Sequence, residues 1–170
     1  MSARTSIRWA ALTLAACTGL GACSAPSAAP TARESVTPAA MAAPEFGTSE
    51  LTAGLGLPFS EFARVGDLIF LSGMIGTKPG TLELVDGGFE AESRQALENI
   101  DLMLRAAGAS RTDVLKCTAM LDDMSLWPRF NQIYGEFFGN HRPVRSAFGT
   151  DGLAIGAAVE IECIAAAPPR

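Results

Sequence analysis

Residues 90–121, EAESRQALENIDLMLRAAGASRTDVLKCTAML, join a helical pattern to a strand pattern. Apolar residues in the first part recur at steps of three and four, which predicts a helix over residues 90–107. The second part, residues 114–121, is almost continuously apolar, which is typical of a central strand. A helix followed by a buried strand indicates a domain in which helices pack against a sheet.

The segments on both sides extend this pattern to a whole domain. A second helix is expected over residues 127–138, with Pro128 in its first turn. Its aromatic face, which includes Phe130 and Tyr134, favours a core face over a ligand site. Four further strands are expected at residues 62–64, 68–72, 145–150 and 157–166. The last two are expected to form a hairpin, and the order β-β-α-β-α-β-β predicts an α+β fold with both helices on one face of a mixed sheet.

The N-terminus has the layout of a secretory signal over residues 1–22. Arg4 and Arg8 precede an apolar stretch at residues 9–20, which is too short to span a bilayer comfortably. The stretch ends in Leu-Gly-Ala-Cys at residues 20–23, which resembles the lipobox of bacterial lipoproteins. Cys23 is therefore the expected lipidation site, and an ordinary secretory signal cleaved nearby is the alternative. The expected location is the cell envelope, as a periplasmic or outer-membrane lipoprotein.

The remaining chain divides into a tether and one domain. Residues 23–50 are rich in Ala, Pro, Ser and Thr, which predicts a flexible tether. The domain is expected to occupy residues 51–170, enough for one hydrophobic core.

Charge and cysteine content exclude several functions. Without Arg4 and Arg8 the net charge falls from −5 to −7, which argues against nucleic acid as a partner and against electrostatic binding to anionic lipid. His141 is the single histidine, so neither a His/Cys metal site nor a Ser-His-Asp triad is expected, and no cofactor is implied. Cys117 and Cys163 lie in strand-like runs, where they act either as small buried hydrophobes or as a disulfide.

The candidate site chemistry comes from one arginine and one glutamate. Arg145 lies at the start of an apolar run, and its guanidinium can hold a carboxylate through two parallel hydrogen bonds. The run Val-Glu-Ile-Glu-Cys at residues 159–163 places Glu160 and Glu162 on one face of a strand. The pattern indicates a site that binds a small acid and acts on it with a neighbouring glutamate. A plain cross-strand salt bridge is the alternative.

Several motifs together resemble the RidA family, also called YjgF-like or endoribonuclease L-PSP. The resemblance covers about residues 56–167, and its most specific parts are Pro-Val-Arg-Ser at 143–146 and Val-Glu-Ile-Glu at 159–162. The other matching motifs are Pro-Phe-Ser at 58–60, Val-Gly-Asp at 65–67, Leu-Ser-Gly at 71–73, residues 92–99, residues 106–110, residues 113–118, and Asn131 with Tyr134 and Phe137-Phe138.

The resemblance implies a chorismate-mutase-like fold, a homotrimer, and active sites in the clefts between subunits. It implies hydrolysis of reactive enamines and imines, such as 2-aminoacrylate, to 2-keto acids and ammonia. By this resemblance Arg145 binds the substrate carboxylate and Glu160 positions or activates water. The positions expected to border the substrate are Phe59, Gly73, Asn131 and Ser146.

The chain departs from the family pattern at three positions, where Phe59, Met74 and Ala147 replace the usual Tyr, Gln and Cys. These residues make the expected pocket less polar and leave the preferred substrate open. The alternative function is a non-catalytic trimer that binds a small carboxylate or serves as a protein-interaction platform. In both cases the membrane is expected to be contacted through the lipid anchor alone.

Overall fold

A computed structural model describes residues 43–169 of the 170-residue chain. The predicted signal over residues 1–22, Cys23 and the first part of the predicted tether lie outside these residues. No helix within the described range has the length and apolarity needed to cross a membrane.

The domain is built on one mixed sheet of seven strands. The strands are β1 (Glu45–Gly47), β2 (Phe62–Val65), β3 (Leu68–Leu71), β4 (Met74–Ile75), β5 (Val114–Leu121), β6 (Val144–Gly149) and β7 (Val159–Ala166). Their order in the sheet is β1-β2-β3-β7-β5-β6, and β4 pairs with β7 beyond the end of β3. Only β5 and β6 run parallel; every other pair is antiparallel.

Two helices, α1 (Gly88–Ala106) and α2 (Trp127–Phe138), cover one face of this sheet and confirm the predicted α+β class. The apolar residues of α1 that recur at steps of three and four are fully buried against the strands. At Gly76, just after β4, an added Cβ would lie 2.6 Å from the backbone of Glu92 in α1. Only glycine therefore lets this part of the sheet approach the helix so closely.

The domain begins earlier than the sequence predicted. Residues assigned to the tether form β1, which pairs with β2, so the tether cannot extend to residue 50. The fully buried Glu61 holds the following segment, because its carboxylate accepts hydrogen bonds from the Ser49 amide and the Thr52 hydroxyl, both at 2.6 Å. Three residues are too few to show a clear alternation of apolar and polar side chains. They form a strand because they pair with β2, and their composition alone does not indicate one.

The predicted hairpin between the last two strands is wrong. Strand β5 lies between β6 and β7 and pairs with both. The unit β5-α2-β6 brings two parallel strands together through a helix, which is the connection that parallel strands require.

Cys117 and Cys163 settle the alternative left open by the sequence. They are direct partners on β5 and β7, with Cα atoms 4.1 Å apart, and they form a disulfide. The bond lies under the helices, where both residues are at most 2% exposed.

Candidate active site

The guanidinium of Arg145 is held by helix α2. Arg145 Nη2 donates a hydrogen bond to Asn131 Oδ1. Its Cζ atom lies 4.6 Å from the centroid of the Tyr134 ring and 5.4 Å from that of Phe130, within the range of cation–π attraction. These contacts fix the position of the guanidinium, and a planar group fixed in this way is suited to binding a carboxylate through two hydrogen bonds.

Tyr134 contributes its ring and not a charge to this arrangement. The residue is 8% exposed, and its hydroxyl has no hydrogen-bond partner among the described residues. Burial raises the pKa of Tyr134 to about 12, against the opposing effect of the Arg145 charge. The phenol is therefore neutral at physiological pH.

Glu160 forms the second part of the site, beside Gly73. A Cβ added at Gly73 would lie 1.9 Å from Glu160 Oε1, so the carboxyl occupies the space that any side chain at position 73 would need. Because the carboxyl is the end of a flexible side chain, a methyl group at position 73 would push the carboxyl aside and would not require the backbone to move. Glycine at position 73 therefore allows the Glu160 carboxyl to lie directly against the backbone that follows β3.

The environment of Glu160 favours proton transfer. Partial burial raises the pKa of Glu160, and the negative charge of Glu162 on the same strand face raises it further. A carboxyl with a raised pKa is closer to neutrality and can both accept and return a proton during a reaction.

Within one chain, Arg145 and Glu160 do not meet. Arg145 on β6 lies opposite Cys117 on β5, so its side chain lies on the same, helix-covered face of the sheet as the disulfide. Glu160 is three residues before Cys163, so it points to the opposite, open face. From strand spacing and rise, their backbone positions are roughly 14 Å apart, on opposite sides of the sheet. A cross-strand salt bridge between Arg145 and Glu160 or Glu162 is thereby excluded within the chain.

The remaining predicted positions divide between the two parts. Asn131 lies with Arg145 and contacts it directly, as described above. Phe59, in the loop before β2, is 53% exposed and lines the same surface recess as Ser72, the residue before Gly73. Ser146 is exposed on the open face, in the register row of Thr118 and Glu162, so it faces away from the Arg145 guanidinium.

The sequence missed the contribution of the aromatic face of α2. Its rings pack in the core, as predicted, but Phe130 and Tyr134 also contact Arg145. The helical spacing of the aromatic residues cannot distinguish core packing from contact with an arginine, since both place apolar residues on the inward face of the helix.

Comparison with known proteins gives a consistent result. Residues 53–167 match the family model described as Endoribonuclease L-PSP. Over 122 residues the chain is 38% identical to the 2-iminobutanoate/2-iminopropanoate deaminase of Mus musculus, covering 72% of this chain and 90% of the relative. It is 40% identical over 108 residues to a RutC family protein of Pyrococcus horikoshii, covering 64% and 86%.

Solved structures have the same fold. RidA from an Antarctic Psychrobacter is 34% identical, with a TM-score of 0.65 over 71% of this chain and 97% of the other. TdcF from E. coli, solved with bound serine, is 29% identical, with a TM-score of 0.66 over 72% and 98%.

Proposed function

Because this chain belongs to the endoribonuclease L-PSP family, also called the RidA family, we propose that it is a deaminase-type hydrolase. Its substrates are small reactive enamines and imines such as 2-aminoacrylate, and its products are 2-keto acids and ammonia. Curated relatives named 2-iminobutanoate/2-iminopropanoate deaminase, at 36–38% identity in mouse, cow and human, support this reaction class.

The observation on which the proposal depends is the separation of the site into two parts. One part offers a fixed cation for a carboxylate, and the other offers an acid–base carboxyl. Since they face opposite sides of one sheet, they can act on one small molecule only if a second copy completes the site. We infer a homotrimer in which Arg145 of one copy meets Glu160 of the next.

The open face of the sheet supports this assembly. It exposes apolar side chains that a lone domain would leave in water: Leu68, Phe70, Val144 and Phe148. These side chains lie on β3 and on β6, with β7 and β5 between them, and an interface between copies would remove both pairs from water. The inferred copies cover this face.

The chemistry needs little more than these two groups. Arg145 holds the substrate carboxylate and so orients the C=N carbon toward Glu160. The Glu160 carboxylate removes a proton from water as the water oxygen bonds to that carbon. Glu160 passes this proton to the imine nitrogen, which gives a carbinolamine that carries a hydroxyl and an amino group on the same carbon. Glu160 then takes the proton of that hydroxyl and returns it to the amino nitrogen, so that the C–N bond breaks, ammonia leaves and the carbon keeps the oxygen as a ketone. An enamine first gains a proton on its terminal carbon and loses one from its nitrogen to become the imine.

The test of this function is release of 2-keto acid from 2-aminoacrylate generated in situ, with wild type compared with Arg145→Ala. The alternative, a trimer that binds small carboxylates without turnover, requires Arg145 but does not require an acid–base group at Glu160. Wild-type protein that binds 2-keto acids and does not accelerate hydrolysis would favour this alternative.

The contact between Tyr134 and Arg145 gives a prediction about substrate binding. Tyr134→Leu removes a cation–π contact of about 0.5–2 kcal/mol and should raise KM roughly 2- to 30-fold, with a smaller effect on kcat. Tyr134→Phe keeps the ring and should remain close to wild type. Phe138→Leu is the matched control, because Phe138 is buried on the same helix and its ring is not against Arg145. Equal KM changes in the two leucine variants would show that Tyr134 acts only through packing.

We also propose that the protein is lipid-anchored in the cell envelope through Cys23. The Leu-Gly-Ala-Cys motif is the main support, and the buried disulfide is consistent with export to an oxidising compartment. Cys23→Ser should move the protein from the membrane fraction to an unprocessed or soluble form, measured by fractionation and intact mass. A wild-type protein that matures without a lipid would contradict the proposal.

A further inference from the structure

The Glu160 carboxyl depends on the backbone segments that flank it. Glu160 is the second residue of β7 and lies between Met120 of β5 and Ile75 of β4. Strand β4 has two residues, so its pairing with β7 supplies few hydrogen bonds. Gly73, against which the Glu160 carboxyl lies, directly precedes this short strand. The position of the carboxyl therefore depends on what fixes β4 and the start of β7.

Helix α1 fixes β4 through Asn99. This residue is fully buried, and its Nδ2 atom donates hydrogen bonds to the carbonyl oxygens of Ile75 at 3.1 Å and Thr77 at 2.9 Å. Its Oδ1 atom accepts a hydrogen bond from Gln95 Nε2 at 2.9 Å, which holds the amide in this orientation. The strand on one side of Glu160 is thus tied to the helix.

The same helix holds the start of β7 through Glu92. Glu92 is 8% exposed, and its Oε2 atom accepts a hydrogen bond from the Ala158 amide at 2.8 Å. Ala158 comes two residues before Glu160, and its carbonyl accepts a hydrogen bond from the Asp122 amide, just after β5, at 3.1 Å. The peptide groups that lead into β7 are therefore held by the helix on one side and by the neighbouring strand on the other.

We propose that Glu92 is a positioning residue, which acts on the reaction by fixing the backbone that carries Glu160. This inference rests on the proposed deaminase function and adds a residue that does not touch the substrate. Without an acceptor at position 92 the Ala158 amide loses its partner, and the start of β7 is free to shift. Since proton transfer requires the carboxyl within hydrogen-bond reach of the attacking water, a displacement of about 1 Å can lower the rate by about 10²-fold.

The test compares Glu92→Met with Glu92→Gln. Both new side chains are uncharged, similar in length to glutamate and favourable in a helix, but only glutamine has an oxygen that can accept the Ala158 hydrogen bond. Glu92→Met should lower kcat by about tenfold with KM almost unchanged, because Arg145 still binds the carboxylate. Glu92→Gln should stay close to wild type. Turnover is counted per site that binds a 2-keto acid in calorimetric titration, so that misfolded protein does not contribute.

Arg64→Met is the matched control for a general loss of stability. Arg64 Nη2 donates a hydrogen bond to the Pro168 carbonyl at 2.6 Å, just beyond the other end of β7. Its loss should lower the melting temperature but leave kcat unchanged. A fall in kcat as large as that of Glu92→Met would show that position 92 acts only through stability, and would overturn the inference.

Equal kcat values for Glu92→Met and Glu92→Gln would also overturn the inference and leave the proposed function standing. Glu92→Asp is the second variant, to be used where the methionine variant does not fold. It keeps the carboxylate but is one methylene shorter, so kcat should fall severalfold, and a wild-type kcat would contradict the positioning role. A wild-type protein that releases no 2-keto acid would contradict the proposed function itself.

Discussion

Glu160→Gln is expected to lower kcat for imine hydrolysis by about 10²–10⁴-fold, the usual contribution of a general acid–base group. The amide keeps the size of the side chain beside Gly73 but cannot accept the proton of the attacking water. Binding of a 2-keto acid product should change much less, because in the proposed site Arg145, and not Glu160, holds the carboxylate. Steady-state kinetics and calorimetric titration of the product measure these two effects separately.

Glu162→Gln is the control for this variant. Glu162 lies on the same face of β7 but is more exposed, and it has no equivalent of the contact with Gly73. Its charge raises the pKa of Glu160, so its removal lowers that pKa. Since Glu160 must be deprotonated to act as a base, the acid limb of the plot of kcat against pH should move to lower pH, with kcat near neutrality almost unchanged.

A Glu160→Gln protein with full turnover, alongside an Arg145→Ala protein without carboxylate binding, would favour the non-catalytic trimer that binds small carboxylates.

Arg145→Ala should lower kcat/KM by roughly 10²–10³-fold, because it removes the charged partner of a desolvated carboxylate. Arg145→Lys keeps the positive charge but loses the planar pair of donors and the stacking on Tyr134. It should still lower kcat/KM by about tenfold or more, through loss of a hydrogen bond to a charged group.

Arg94→Ala is the matched control for the arginine variants. Arg94 is an exposed residue of α1 paired with Glu136 at 2.7 Å, outside the site, so its loss should change kcat/KM little. An Arg145→Lys protein with wild-type kinetics would mean that positive charge alone binds the substrate and that the fixed geometry of the guanidinium is unimportant.

The helices and the central strand could be predicted because each repeats its pattern over many residues. The predicted helix at residues 127–138 has the bounds of α2, and the run at residues 114–121 is β5. The short strands β1 and β4 could not be predicted, because two or three residues give no reliable alternation. Their formation depends on partners that are distant in the sequence.

The hairpin prediction failed for a different reason. Neighbouring strands in sequence are often neighbours in space, and the Gly-containing loop between residues 150 and 157 favoured that choice. The strand-helix-strand succession of β5, α2 and β6 was the better signal, because such a unit places its two strands in parallel.

The candidate residues could be identified from the motifs, but their arrangement could not. The alternation around Glu160 gave its strand face correctly, since side chains alternate along any strand. Which face of the sheet carries the Arg145 side chain depends on the register of β6 against β5, where Arg145 lies opposite Cys117. These two residues are far apart in the sequence. That pairing is what places Arg145 and Glu160 on opposite sides of the sheet and makes a site within one subunit impossible.

The claim that a site forms between copies is tested most directly with mixed oligomers. Full-length Arg145→Ala and Glu160→Gln proteins, each nearly inactive, are co-expressed with different affinity tags, and oligomers that carry both tags are confirmed by two-step purification. In a cyclic trimer that contains both variants, one of the interfaces pairs an intact arginine with an intact glutamate. A random equal mixture should therefore recover about one quarter of wild-type turnover. Activity no higher than the sum of the two separate variants, in a preparation that contains mixed oligomers, would contradict a site shared between subunits.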